Sequence, residues 1–175
     1  MSELDEEWAR QVAEAENRAR AAGRGDIADY LRLRASNDLA RKAGSDWLFA
    51  TFTDFAGEAN RTGASIQLTR TDAHQFRMGN TTMVGLLLTF RQGVRALMIE
   101  AGWPRKPADG FIRGGGLAGG RVRHFGNAAA DEELLLIRSE SDAAPQWFVL
   151  ERNGTRSKFL EERARRHVDR FTGVR

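Results

Sequence analysis

Hydrophobic and polar positions change their rhythm twice along this chain. Over Glu3 to Ala22, the residues Leu4, Trp8, Val12, Ala15 and Ala19 recur at spacings of three and four, which predicts a helix with one apolar stripe. Ser2 stands where a cap is wanted, acids fill the first turn, and Gly23 and Gly25 mark the end. The stripe is narrow and rich in alanine, so little area ties this helix to anything else. Asp26 opens a second helical pattern through Ile27, Tyr30, Leu31, Ala35 and Leu39, which stops at Gly44. Ser45 and Asp46 begin a third, carried by Trp47, Leu48, Thr51, Phe52, Phe55 and Ala59. Its aromatics and threonines also suit a strand, so sequence alone leaves 46–59 open between the two.

After Gly63 the period becomes two. Ile66 and Leu68 alternate with polar neighbours, and so do His74, Phe76 and Met78. Gly79-Asn80 is a two-residue hairpin signal, and Arg91-Gln92-Gly93 reads as a three-residue turn. Between them Val84, Leu86, Leu88 and Phe90 share a face. Val94 to Ala101 is apolar on both faces except at Arg95 and Glu100, and Trp103-Pro104 breaks the ladder. Further strands are expected at Arg121–Phe125, Glu133–Arg138 and Gln146–Arg152. Leu134 to Ile137 is apolar throughout, as in a strand covered on both sides. The helical period then returns in Leu160, Ala164, Val168 and Phe171, with Ser157 as the cap. The pattern predicts an α+β fold: N-terminal helices, an antiparallel meander of about six or seven strands, and a C-terminal closing helix. We read 1–175 as a single domain, helical over 1–62, sheet over 63–152, and helical again over 155–172.

Charge refines this picture. The formal net charge is only +3, with 24 arginines, three lysines and no cysteine. A pI of 9.9 therefore reflects how little titrates above neutrality, not a large basic excess. Its distribution is uneven: residues 1–60 carry 8 basic and 12 acidic groups, residues 61–130 carry 10 and 3, and residues 131–175 carry 9 and 9. Without cysteine there are no disulfides and no thiolate chemistry. The acidic N-terminus does not look like a secretory leader, and no apolar run is long enough to span a bilayer, so we expect a cytoplasmic protein that is not in a membrane.

Candidate chemistry is sparse. The stretch FIRGGGLAGGRVRHFG, residues 111–126, contains the spacing G-x-G-x-x-G at Gly114, Gly116 and Gly119. A dinucleotide site also needs a helix after the glycines, whereas RVRHF alternates like a strand. The stretch reads as a connector whose flanking Arg113, Arg121 and Arg123 are available to an anion. On the closing helix, Arg156, Arg163, Arg166 and Arg170 fall on one side, with Phe159 among them. His74, His124 and His167 show no metal-ligand spacing, and no metal or cofactor is expected. Asp72 is placed to orient His74.

Three functional readings follow. In the first, the protein is a non-catalytic binding or assembly module, a homo-oligomer joined through its thin N-terminal helices. In the second, the basic middle segment and the closing helix lie side by side as a platform for nucleic acid or another polyanion. In the third, a small-ligand enzyme holds its pocket on the concave face of the sheet, lined by His124, Phe125, Trp103 and Trp147. On the second reading, replacing Arg121 and Arg123 together by alanine leaves the fold nearly intact and weakens anion binding.

Overall fold

The computed structural model describes residues 3–138 and 144–174. Its helices are α1 (Glu3–Ala21), α2 (Gly25–Arg61) and α3 (Glu161–Thr172). Its strands are β1 (Gln67–Met78), β2 (Thr81–Gln92), β3 (Arg95–Trp103), β4 (Ala118–His124), β5 (Glu132–Ile137), β6 (Gln146–Leu150) and β7 (Arg156–Lys158). The fold is α+β, with two helices before an antiparallel sheet and one after it, as the periodicity predicts. The chain divides into two compact units, Met1–Lys42 and Ala43–Arg175. No helix among the described residues is long and apolar enough to cross a membrane.

In the first unit α1 ends at Gly23, whose φ of 73° is the left-handed cap conformation glycine tolerates best. Val12, Ala19 and Ala28 are buried, while Trp8, Tyr30, Leu33 and Leu39 are exposed. Much of each predicted stripe therefore faces solvent, and the unit's interior is made of small side chains. Arg34 lies over the Trp8 ring at 5.2 Å, and Arg32 pairs with Glu16 at 3.3 Å. The expected cap, Ser2, lies outside the described residues, as does the side chain of Leu4.

In the second unit all seven strands form one sheet in the order β1-β2-β3-β4-β5-β6-β7, every neighbour antiparallel. Gly79-Asn80 makes the expected two-residue turn. The β2–β3 turn is Gly93-Val94, one residue shorter than predicted, because Gln92 already pairs with Arg95. Register assigns the faces. Leu86, Ala101, Gly120, Leu134, Val149 and Ser157 form one cross-strand row, and Leu88, Ile99, Val122 and Glu132 the next. Onto this face pack Leu48, Phe49, Phe52 and Ala56 of α2, Phe159, and Ala164, Val168 and Phe171 of α3.

Two predicted boundaries are wrong for instructive reasons. Gly44 does not end a helix, and residues 46–59 are helical, within α2. Gly44 is there for close packing: a Cβ would come within 2.6 Å of both Leu136 methyls, and the indole N–H of Trp147 donates to the Gly44 carbonyl at 2.7 Å. The closing helix starts at Glu161, later than predicted. Ser157 and Arg156 belong to the short strand β7 before it, and Leu160 is the helix N-cap.

The opposite face of the sheet has its own interior, with Phe76, Met83 and Leu135 buried. The β3–β4 connection, residues 104–117, helps to cover it. The Thr81 hydroxyl donates to the Phe111 carbonyl at 2.7 Å, and Gly116 approaches Leu135 so closely that a Cβ would lie 2.2 Å from a methyl. The two-sided apolar run in β5 is thus covered on both faces, as predicted. A bulge delivers β1 to this face. Thr71 pairs with Leu87 but His74 pairs with Gly85, so β1 holds one residue more than β2 across that interval. Ala73, within the bulge, has φ of 52°.

Candidate functional site

The sheet separates the arginines that sequence placed side by side. Val122 and His124 face α3, so Arg121 and Arg123 point to the other face. Arg163, Arg166 and Arg170 belong to α3 itself, and Arg156 sits on β7 with its guanidinium donating to the Gly114 carbonyl at 3.3 Å. A single basic platform does not form. Strand alternation puts neighbours two apart on one face and their intervening residues on the other, and the helix packs on the His124 side.

What forms instead is a cleft of about 220 Å³ beside α3, lined by Glu132, Arg163, Arg166, His167 and Arg170. Its floor is an extended polar network. Arg163 makes a two-pronged contact with the Glu132 carboxylate, Nη2 at 2.8 Å from Oε1 and Nε at 2.9 Å from Oε2. Its Nη1 reaches Glu151 and the Ser157 hydroxyl, both at 3.0 Å. His167 Nε2 lies 3.0 Å from Glu132 Oε2, and its Nδ1 lies 2.9 Å from His124 Nε2. The His124 backbone N–H donates to Asp131 Oδ1 at 2.8 Å, which fixes the strand end carrying the ring.

The electrostatics follow from these contacts. Burial opposes a charge on Glu132, but hydrogen bonds from His167 and Arg163 overcome it and hold the carboxyl at about 2. Burial, with the charges of His167 and Arg170 nearby, lowers His124 to about 4, so this ring is neutral at physiological pH. The Ser157 hydroxyl and Arg163 lower Glu151. The hydrogen bond to Glu132 raises Arg163 further. Because Glu132 is ionised, His167 Nε2 donates to it, and one of the two facing nitrogens of His167 and His124 carries the remaining proton. Above this floor Arg166 and Arg170 are exposed and make no ion pair or hydrogen bond among the described residues.

The second constellation lies on the other face. Glu100 is 1% exposed, and its carboxylate accepts from Arg121 Nε at 3.1 Å and from Arg123 Nε and Nη2, each at 3.1 Å. His74 Nε2 stands 2.7 Å from Glu100 Oε1. Asp72 does not orient this histidine; it pairs with Arg70 at 3.2 Å. Arg121 and Arg123 neutralise a buried carboxylate, so they hold the fold as well as presenting charge. These contacts argue against the expectation that removing both leaves folding nearly intact.

The remaining candidates are dispersed. Arg113 is exposed in the β3–β4 connection and makes no ion pair among the described residues. No helix follows Gly114, Gly116 and Gly119; the chain enters β4 at Ala118, so the stretch is a connector running into a strand. The pocket expected from His124, Phe125, Trp103 and Trp147 is not assembled. Trp147 is core, Phe125 is exposed beyond the end of β4, and Trp103 carries Arg105 on its ring at 3.9 Å. Trp103 pairs with Val84 at one end of β3, whereas His124 pairs with Leu97 toward the other. Among the described residues no group of three or more His, Asp and Glu side chains is placed to hold a metal.

Sequence reasoning passed over Glu100, Glu132 and the inward role of His167. Two signals were present. His167 falls between Ala164 and Phe171 at the stripe spacing i, i+3, i+4, i+7, so a polar ring occupies a core slot. Glu100 is the one acid in an otherwise apolar strand interior. No protein-family model, curated protein or solved structure matches this chain.

Proposed function

We propose that the protein is a non-catalytic binding module that recognises an oxyanion group, phosphate or sulfate, of its partner in the cleft beside α3. One observation carries this reading: Arg166 and Arg170 line the cleft without an acidic partner among the described residues, while Arg163 is spent on Glu132 and Glu151. The polar floor supports it. Glu132 and His167 are locked to one another and to Arg163, so the wall that carries the free cations is held in place before any ligand arrives. Two free guanidinium groups in a small cleft suit one anionic group, not a long phosphate backbone. Retention on immobilised heparin should therefore fall only gently with salt, with a logarithmic slope near 2, not the much steeper slope of a protein covering many phosphates. The double variant Arg166→Ala with Arg170→Ala should fold as the parent and lose that retention. Equal retention of the two proteins would refute the assignment, and a steep slope would favour an extended polyanion surface.

A further inference from the structure

The cluster on the opposite face of the sheet is built in a way that the cleft does not explain. Glu100 sits in the middle of β3, fully buried, beneath Arg121, Arg123 and His74. A carboxylate in such a place costs stability unless it is paired, and an apolar residue would serve the sheet better. Its two guanidinium partners are not sealed in: their side chains are 25% and 34% exposed. The carboxylate engages Arg121 through Nε alone, so both of that residue's terminal nitrogens remain to donate outward. Arg123 commits Nε and Nη2, leaving Nη1.

Local geometry has been bent to complete this cluster. His74 is on β1 and Glu100 on β3, so the ring must reach across β2, a span of about 9.6 Å between strand axes. It crosses at Gly85, its own register partner, where no side chain stands in the way. The bulge that turns His74 to this face holds Ala73 at φ of 52°, a left-handed conformation that a residue with a Cβ adopts only at a cost. Phe76 stacks on the His74 ring at 5.9 Å and lies 5.4 Å from the Arg121 guanidinium. Half-buried Leu87 and Met98 share the face, as register partners of Glu100 and of Thr89 and Arg123.

We propose that the Glu100-anchored pair Arg121 and Arg123 is a second binding site, taking the carboxylate of a small organic acid with its hydrocarbon part against Leu87 and Met98. Arg121 and Arg123 keep three terminal nitrogens that Glu100 does not engage, and among the described residues neither pairs with Glu133, the register partner of Arg121 on this face. Their planar forks, fixed in orientation from below, suit that group's geometry. The flanking apolar side chains suit an alkyl chain and offer nothing to a bare inorganic ion.

The test is an NMR titration of the full chain, reading the guanidinium Nε–H signals of Arg121 and Arg123, with sodium chloride at equal ionic strength as the control. Butyrate should shift both signals saturably, with a dissociation constant of about 10 mM or below. Formate and inorganic phosphate, which have no hydrocarbon part to place against Leu87 and Met98, should each bind several-fold more weakly. Arg123→Lys, which keeps the charge but loses the fork, should weaken butyrate about tenfold. The wild-type titration decides the matter alone. Butyrate shifts that do not saturate, that equal those from chloride, or that phosphate reproduces overturn the proposal. Equal affinity for formate overturns the apolar half of it. The signals of Arg166 and Arg170 report the α3 cleft separately, so failure at one site leaves the other legible.

Discussion

Ala73 and Gly85 are neighbours across β1 and β2 with opposite problems. Ala73 carries a Cβ where the backbone φ of 52° disfavours one. Ala73→Gly should raise the stability of the protein by about 1 kcal/mol in urea unfolding, since the strain outweighs glycine's extra chain entropy. Gly85 lacks a Cβ where one would lie 2.0 Å from the Ala101 carbonyl oxygen. That neighbour is backbone and cannot step aside, so Gly85→Ala should cost about 3 kcal/mol. Arg121→Ala with Arg123→Ala removes both guanidinium partners of the buried Glu100 carboxylate, leaving it His74, and should cost about 3 kcal/mol by the same measurement. A near-neutral result for the arginine pair would mean that His74 and water satisfy Glu100 without them.

At the scale of elements, α3 is joined to the sheet by the chain His124–His167–Glu132–Arg163, and that junction should respond to acid in two stages. His124 titrates at about 4 in the fold and at its ordinary 6.5 when unfolded. Between those values the unfolded chain binds the extra proton, so stability falls as pH drops from 6.5 to 4 and is then flat for this group. Glu132 titrates at about 2 in the fold against an ordinary 4.5, so its contribution is complete above 4.5 and is lost as pH falls toward 2. Each window is worth up to about 3 kcal/mol. In His124→Gln, which retains a polar atom near Nε2, the decline between 6.5 and 4 should vanish while the lower one persists. Most of these elements were legible beforehand, because a period of two or of three-and-four survives in any strand or helix with one buried face. The polar network was not. His167 and Glu132 meet only after α3 folds back on β5, 35 residues away in sequence, and no local pattern encodes that return. Gly44 misled for a related reason: a glycine chosen for contact with Leu136 looks, in one dimension, like a stop. The bulge was not legible either: Ile66, Leu68, His74, Phe76 and Met78 share one parity, which alone puts them on one face, whereas the inserted residue sends Leu68 and His74 to opposite faces.

Across the whole molecule the two units differ in what holds them. In Met1–Lys42 the buried side chains include Val12, Ala19 and Ala28, and each removes little area from water. In Ala43–Arg175 the helix α2 buries Leu48, Phe49 and Phe52 on a sheet. Amide exchange should therefore be fast through α1 and the first half of α2 and slow from about Leu48 onward, a break within one continuous helix. Uniform protection along α2 would mean that the first unit has a stabilising partner, such as a second copy. The proposed anion binding rests on the two free arginines of the α3 cleft, and calorimetric titration of inorganic pyrophosphate into the full chain probes them without an intermediary. Saturable binding to the parent protein is expected, with at least a tenfold loss in Arg166→Ala with Arg170→Ala at an unchanged unfolding midpoint. Absence of binding heat with the parent, or equal affinity in the two proteins, overturns the assignment.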